Sequence, residues 1–164
     1  MVVVGLGYVG LPLAQAACDS GLSVRGLDLN QQIVEGLNAG RSHVDDLSNE
    51  DIAKMLAAGF AATTDASVLA TAETIVICVP TPLSDDGGPD LGAVMGATEA
   101  VAAHLQPGQL VVLESTTYPG TTDEEVRPVL EAGGLVAGRD FALAFSPERI
   151  DPGNPVYGMK NTPK

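Results

Sequence analysis

The segment Val2-Val3-Val4-Gly5-Leu6-Gly7-Tyr8-Val9-Gly10 runs a β-branched strand straight into a G-x-G-x-x-G turn, and an Ala- and Leu-rich stretch follows it. Few folds accept that order, because the turn must be tight and the helix must lie close to the strand. Gly5 allows the turn, Gly7 leaves room for a bound group to approach the backbone, and Gly10 lets the helix pack against the strand. The amino end of the helix then offers unpaired N–H groups and a positive dipole end, a seat for phosphate. A second apolar run, from Leu22, closes on Asp28, 18 residues past Gly10. A carboxylate there can accept hydrogen bonds from both hydroxyls of a ribose. The glycines alone are weak, because the chain has 19 Gly and the same spacing serves a strand-to-helix connection that holds nothing. Strand, turn, helix and acid together predict a dinucleotide site. No Lys or Arg stands between Asp28 and Arg41 to meet a 2′-phosphate, so the expected cofactor is NAD rather than NADP.

The rest of the chain repeats the pattern. Apolar runs at about 2–5, 23–28, 60–63, 74–79, 109–114 and 141–145 read as strands. Amphipathic stretches at about 9–20, 30–38, 48–58, 66–71, 91–104 and 122–132 read as helices. Runs such as Ile75-Val76-Ile77 and Leu110-Val111-Val112-Leu113 are continuously apolar, which is how strands buried on both faces of a parallel sheet read. The expected fold is α/β, a doubly wound and mostly parallel sheet of the Rossmann kind, over residues 1–150. Asn30 and Asp90 are placed to cap the second helix and the helix at 91–104. Ile33, Val34 and Leu37 form the expected buried stripe of the second helix; Leu91, Val94, Met95, Val101 and Ala102 form that of the later one. The Pro- and Gly-rich segment 80–89 reads as a loop at the carboxyl end of a central strand, where open α/β sheets bind ligands. Residues 151–164 carry no clear element and read as a connector.

At 164 residues, 45% of them hydrophobic, the chain can bury one core, and that core must rest on aliphatic residues because aromatics make up 4%. A formal net charge of −13 argues against nucleic acid or an anionic membrane as partner. No apolar run is long enough to span a bilayer, and no signal peptide is evident, so a reducing cytoplasm is expected. Cys18 and Cys78 read as small buried hydrophobes rather than nucleophiles. His43 reads as a loop residue and His104 as a surface helix residue.

Three further segments follow strand ends: Val79-Pro80-Thr81-Pro82, Glu114-Ser115-Thr116-Thr117-Tyr118-Pro119-Gly120-Thr121-Thr122, and Phe145-Ser146-Pro147-Glu148-Arg149-Ile150-Asp151-Pro152-Gly153-Asn154. With the glycine turn they resemble the amino-terminal domain of the nucleotide-sugar (UDP-glucose/GDP-mannose) 6-dehydrogenase family. The second and third look most like the bacterial branch acting on UDP-N-acetylhexosamines. The resemblance implies a four-electron oxidation in which a sugar C6 alcohol passes through an aldehyde and a cysteine thioester to a uronic acid, consuming two NAD. It implies that Gly5, Gly7, Tyr8, Val9, Gly10 and Asp28 hold the cofactor, with Thr81, Pro82 and Thr116 at its nicotinamide end. It further implies that Thr116 and Glu148 handle the catalytic water, and that Glu148, Arg149, Ile150 and Asp151 touch the UDP-sugar.

Each assignment has a plainer competitor in the residues. Thr81 between two prolines also suits a turn. Thr116 also suits a helix cap, although Thr121 or Thr122 is nearer that helix. Glu148 also suits a solvated loop acid or a partner for Arg149. The family's lysine, asparagine and nucleophilic cysteine have no match here, nor do its dimer-forming helix and second domain. The expectation is a cofactor domain that binds NAD without turning over alone, part of a larger enzyme that is a homodimer. Two other classes stay open: a Rossmann dehydrogenase making one hydride transfer, of the hydroxyacid type, and a nucleotide-sensing module with no chemistry.

Overall fold

In a computed structural model, which describes residues 1–83 and 87–147, all six expected strands pair in one sheet. They are β1 (Val2–Val4), β2 (Arg25–Leu27), β3 (Ala61–Thr63), β4 (Thr74–Ile77), β5 (Leu110–Leu113) and β6 (Ala142–Phe145). The spatial order is β3-β2-β1-β4-β5-β6, with every pairing parallel. Among the described residues, five α-helices accompany them: α1 (Gly10–Asp19), α2 (Gln31–Asn38), α3 (Asn49–Ala57), α4 (Gly92–His104) and α5 (Arg127–Glu131).

The continuous apolar strands explain why helices lie on both faces. Val3, Val76 and Cys78 belong to one buried cluster with Leu11 and Ala14 of α1, Leu37 of α2 and Ile52 of α3. Val2, Val4, Ile75, Ile77, Val111 and Leu113 face the other way, against Val94 and Val101 of α4 and Leu130 of α5. Successive strand residues point to opposite faces, so a run of branched residues feeds two cores at once. Each fully buried aliphatic side chain contributes about 1.5–3 kcal/mol. Cys18 and Cys78 lie buried in the first cluster, and burial beside Asp19 pushes the Cys18 thiol up, away from thiolate chemistry.

Local structure departs from expectation in several places. Residues Ala66–Thr71 form a 3₁₀ helix, opened by Asp65, whose carboxylate accepts from the Ser67 N–H at 2.9 Å. Such tighter winding is common in short connectors between regular elements. The helix expected at 122–132 is a π-helical turn, Thr121–Val126, followed by α5. Pro128 near the start of α5 has no N–H to give to the preceding turn, which breaks the regular ladder there. Neither Thr121 nor Thr122 caps it. The cap position is Gly120 at φ 103°, and the Thr121 hydroxyl instead donates to the Tyr118 carbonyl at 2.8 Å. Asn30 does cap α2, accepting from the Gln32 N–H. Asp90 acts one residue ahead of the cap position of α4, accepting from the Gly92 N–H at 2.8 Å. Val94 and Val101 are buried on α4 as expected, joined by Thr98, whereas Leu91, Met95 and Ala102 are only partly covered.

Candidate dinucleotide site

The strand order reverses its direction of growth at β1: β2 and β3 extend one way, β4 to β6 the other. The carboxyl ends of β1 and β4 flank that switch point, where helices diverge to opposite faces and leave a crevice. The glycine turn opens into it. Gly5 has φ 89°, and a Cβ there would lie 2.7 Å from the Cys78 carbonyl oxygen. At Gly10 a Cβ would lie 1.8 Å from the Gly5 carbonyl oxygen, so only glycine lets α1 approach β1. Gly7 is the opposite case, with nothing within 4 Å of a built Cβ. Its open side is room for a ligand rather than for a neighbour.

Asp28 follows β2 and turns back toward this loop. One carboxylate oxygen accepts from the Leu6 N–H at 2.8 Å and the other from the Asn30 N–H at 2.9 Å. The acid therefore braces the turn and keeps one further acceptor position on each oxygen. Across the crevice, the Thr81 hydroxyl donates to the Thr116 carbonyl at 2.5 Å, and the Ser115 hydroxyl donates to the Val79 carbonyl at 2.9 Å. These two bonds tie the β4 loop to the β5 loop.

The cleft measures about 420 Å³, and Gly5, Gly7, Tyr8, Val9, Asp28, Thr81 and Thr116 all line it. Gly10 sits beneath, inside the helix. Pro82 lies outside the wall; its carbonyl accepts from the Asp90 N–H at 2.7 Å and helps close the 80–89 loop, in which Leu83 and Pro89 form an antiparallel bridge. Glu148, Arg149, Ile150 and Asp151 lie outside the described residues. Sequence reasoning did not single out Cys78, Glu114 or Ser115 as part of the wall. Their signal was position, since each is the first or second residue after a central strand.

A second pocket of about 320 Å³ opens off the same crevice on the α4 face. Asp28, Leu29, Val79 and Pro80 border it, and Gly92, Gly96 and Ala97 of α4 form its floor. Leu29 is 94% exposed at its rim. A third groove of about 510 Å³ lies beyond the β5 loop, between Tyr118, Pro119, Arg127 and Phe145. No Lys or Arg is among the described residues lining the first two pockets. No group of three or more His, Cys, Asp or Glu among the described residues could hold a metal.

An all-parallel sheet of this order, with a glycine turn at the first crossover and an acid after the second strand, defines a dinucleotide-binding Rossmann domain. The chain belongs to the UDP-glucose/GDP-mannose dehydrogenase family: the model of that family's NAD-binding domain matches residues 1–164. It is 39% identical to Protein CapL of Staphylococcus aureus over 165 residues, covering all of this chain and 38% of that protein. It is 37% identical to UDP-N-acetyl-D-glucosamine 6-dehydrogenase of Pseudomonas aeruginosa, again covering all of this chain and 38% of that one. The solved UDP-D-ManNAc dehydrogenase of Pyrococcus horikoshii superposes with a TM-score of 0.86 at 37% identity, covering 93% of this chain and 37% of that structure. The chain thus spans less than two-fifths of the relatives it matches.

Proposed function

We propose that this chain holds NAD across the switch point and forms the cofactor half of an enzyme oxidising the C6 alcohol of a UDP-sugar. The observation that carries the reading is the convergence of Gly7, Asp28, Thr81 and Thr116, from four separate segments, on one cleft at the carboxyl ends of β1, β4 and β5. The cleft fits the group. The open side of Gly7 admits a pyrophosphate to the amino end of α1, and the spare acceptor positions of Asp28 suit the adenosine ribose. The pocket under Leu29, floored by glycine and alanine of α4, is flat and apolar enough for adenine. Thr81 and Thr116 then meet the nicotinamide end, where their oxygens orient a carboxamide or a water without adding charge. When bound, NAD supplies a hydride acceptor.

The substrate class follows from the relatives. Those named above include a UDP-N-acetylglucosamine and a UDP-N-acetylmannosamine dehydrogenase, so a UDP-N-acetylhexosamine is the proposed substrate and the uronic acid the product, with two NAD consumed. Glu148, Arg149, Ile150 and Asp151 are proposed to meet the sugar nucleotide, with Glu148 and Thr116 managing the water. In sequence they follow β6, whose Phe145 lines a groove with Tyr118. Polysaccharide building-block supply in the cytoplasm, by a homodimer, is the setting that fits this chemistry.

The test is NADH yield from the protein encoded by the intact gene, across a panel of UDP- and GDP-sugars. Two NADH per sugar, with an N-acetylhexosamine preferred, is the expected result. One NADH per molecule would move the protein to simple alcohol dehydrogenation. NAD binding without turnover on any sugar would make it a sensor.

A further inference from the structure

The ladder between β4 and β5 runs to the Glu114 N–H, which donates to the Ile77 carbonyl at 2.8 Å. Parallel rungs from one strand recur every second residue, so a ladder continued in register would bring the Thr116 N–H to the Val79 carbonyl. That carbonyl accepts instead from the Ser115 hydroxyl, at 2.9 Å. Ser115 is buried, whereas Thr116 beside it is exposed. The Thr116 carbonyl in turn accepts from the Thr81 hydroxyl at 2.5 Å.

The two bonds make a cross-tie in which each loop gives one hydroxyl and one carbonyl. Val79 and Thr81 supply one side, Ser115 and Thr116 the other, and all four residues line the cleft. A side-chain donor here satisfies a carbonyl that a main-chain rung would otherwise take, with one difference. A rung from Thr116 would hold that residue in the sheet, whereas a hydroxyl leaves the chain beyond Ser115 free to turn away. Ser115 thus sets where the two loops part and how far apart Thr81 and Thr116 stand.

We propose that Ser115 is a positioning residue for hydride transfer: by occupying the Val79 carbonyl it keeps the β4–β5 ladder from zipping into the cleft and fixes the spacing of Thr81 and Thr116. It acts through Val79 and needs no contact with the cofactor. The inference rests on the reading that NAD lies in this cleft with its nicotinamide end at the two threonines. Without the hydroxyl, the Thr116 N–H can meet the Val79 carbonyl, so the fold survives while the threonines shift. Reaction geometry tolerates this less than folding does, since a misplacement of about 1 Å can cost about 100-fold in rate.

The test is NADH formation from UDP-N-acetylglucosamine and UDP-N-acetylmannosamine by the protein from the intact gene, with inhibition by ADP-ribose measured alongside. ADP-ribose carries the adenosine and both phosphates but no nicotinamide, so it reports on the rest of the cleft. Ser115→Ala should lower kcat by about tenfold or more, the scale of a small misplacement at the reacting atoms. Its inhibition constant for ADP-ribose should stay within about threefold of wild type, and its melting temperature should fall by only a few degrees, as for one exchanged hydrogen bond. Ser115→Thr, which keeps the hydroxyl, should recover most of the lost kcat. An unchanged kcat in Ser115→Ala overturns the proposal, because the hydroxyl then orients nothing. Loss of kcat together with ADP-ribose binding and melting temperature overturns it too, because the role is then structural alone. A wild-type protein that binds ADP-ribose yet forms no NADH from either sugar overturns the dehydrogenase reading itself, and this proposal with it.

Discussion

Three glycines of one motif have three different physical reasons, and substitution should separate them. At Gly10 an added methyl meets the Gly5 carbonyl at 1.8 Å, so Gly10→Ala must push α1 off β1. A loss at or above the upper end of the about 1–3 kcal/mol usual for overpacking is expected in a denaturant melt. Gly7 is not among the positive-φ glycines, and its methyl would meet nothing within 4 Å. Gly7→Ala should leave stability unchanged or raise it by about 0.4–1 kcal/mol through the unfolded chain. NAD affinity should nevertheless fall at least tenfold, because the methyl takes the phosphate's room. A stable variant with unimpaired binding would remove the turn from the site. Asp28 joins both effects. Asp28→Ala should weaken NAD binding by about 1–3 kcal/mol and also lower the melting temperature, because the Leu6 and Asn30 N–H groups lose their acceptor. Unchanged affinity in calorimetry would exclude Asp28 from the ribose.

Among elements, α3 shows best how local side chains set a boundary. Ser48 accepts from the Asp51 N–H at 3.2 Å while the Asp51 carboxylate accepts from the Ser48 N–H at 3.1 Å, closing a reciprocal cap. Ser48→Ala should cost about 1 kcal/mol at neutral pH. The hydrogen bonds from Ser48 hold the Asp51 carboxyl below its usual range, so this stabilisation is present above the unfolded carboxylate value and is lost as pH falls through the lower folded one. The gap between wild type and Ser48→Ala should therefore narrow in strong acid; a gap that widens would contradict the cap. Elements of this kind were legible because their signals are local. Val2 to Val4, Ile75 to Ile77 and Leu110 to Leu113 announced strands by unbroken apolar content, and Asn30 announced a cap. The π-helical turn at Thr121–Val126 was not legible, because it depends on Gly120 at positive φ acting together with Pro128 further along the winding. The cleft was legible in part. Asp28 and the glycines carry a spacing, whereas Glu114 and Ser115 joined the wall only when β5 was set beside β4.

For the molecule as a whole, charge makes a prediction that no single residue does. The chain carries 21 acidic residues against 8 Lys and Arg, a net −13. NAD is itself an anion. Among the described residues, the two pockets proposed to hold it have no basic side chain in their walls. The phosphates must then be held by short-range backbone N–H groups and the end of α1, while the long-range field of the protein opposes their arrival. Salt screens the second far more than the first, because the screening length falls from about 30 Å at 0.01 M to about 10 Å at 0.1 M, still long beside a hydrogen bond. Raising salt over that range should leave NAD affinity undiminished or raise it by about two- to threefold, chiefly through a faster on-rate in stopped-flow measurement. A tenfold loss of affinity would show that the phosphates rest on a cation, and would require a basic side chain to reach the cleft from outside its described walls.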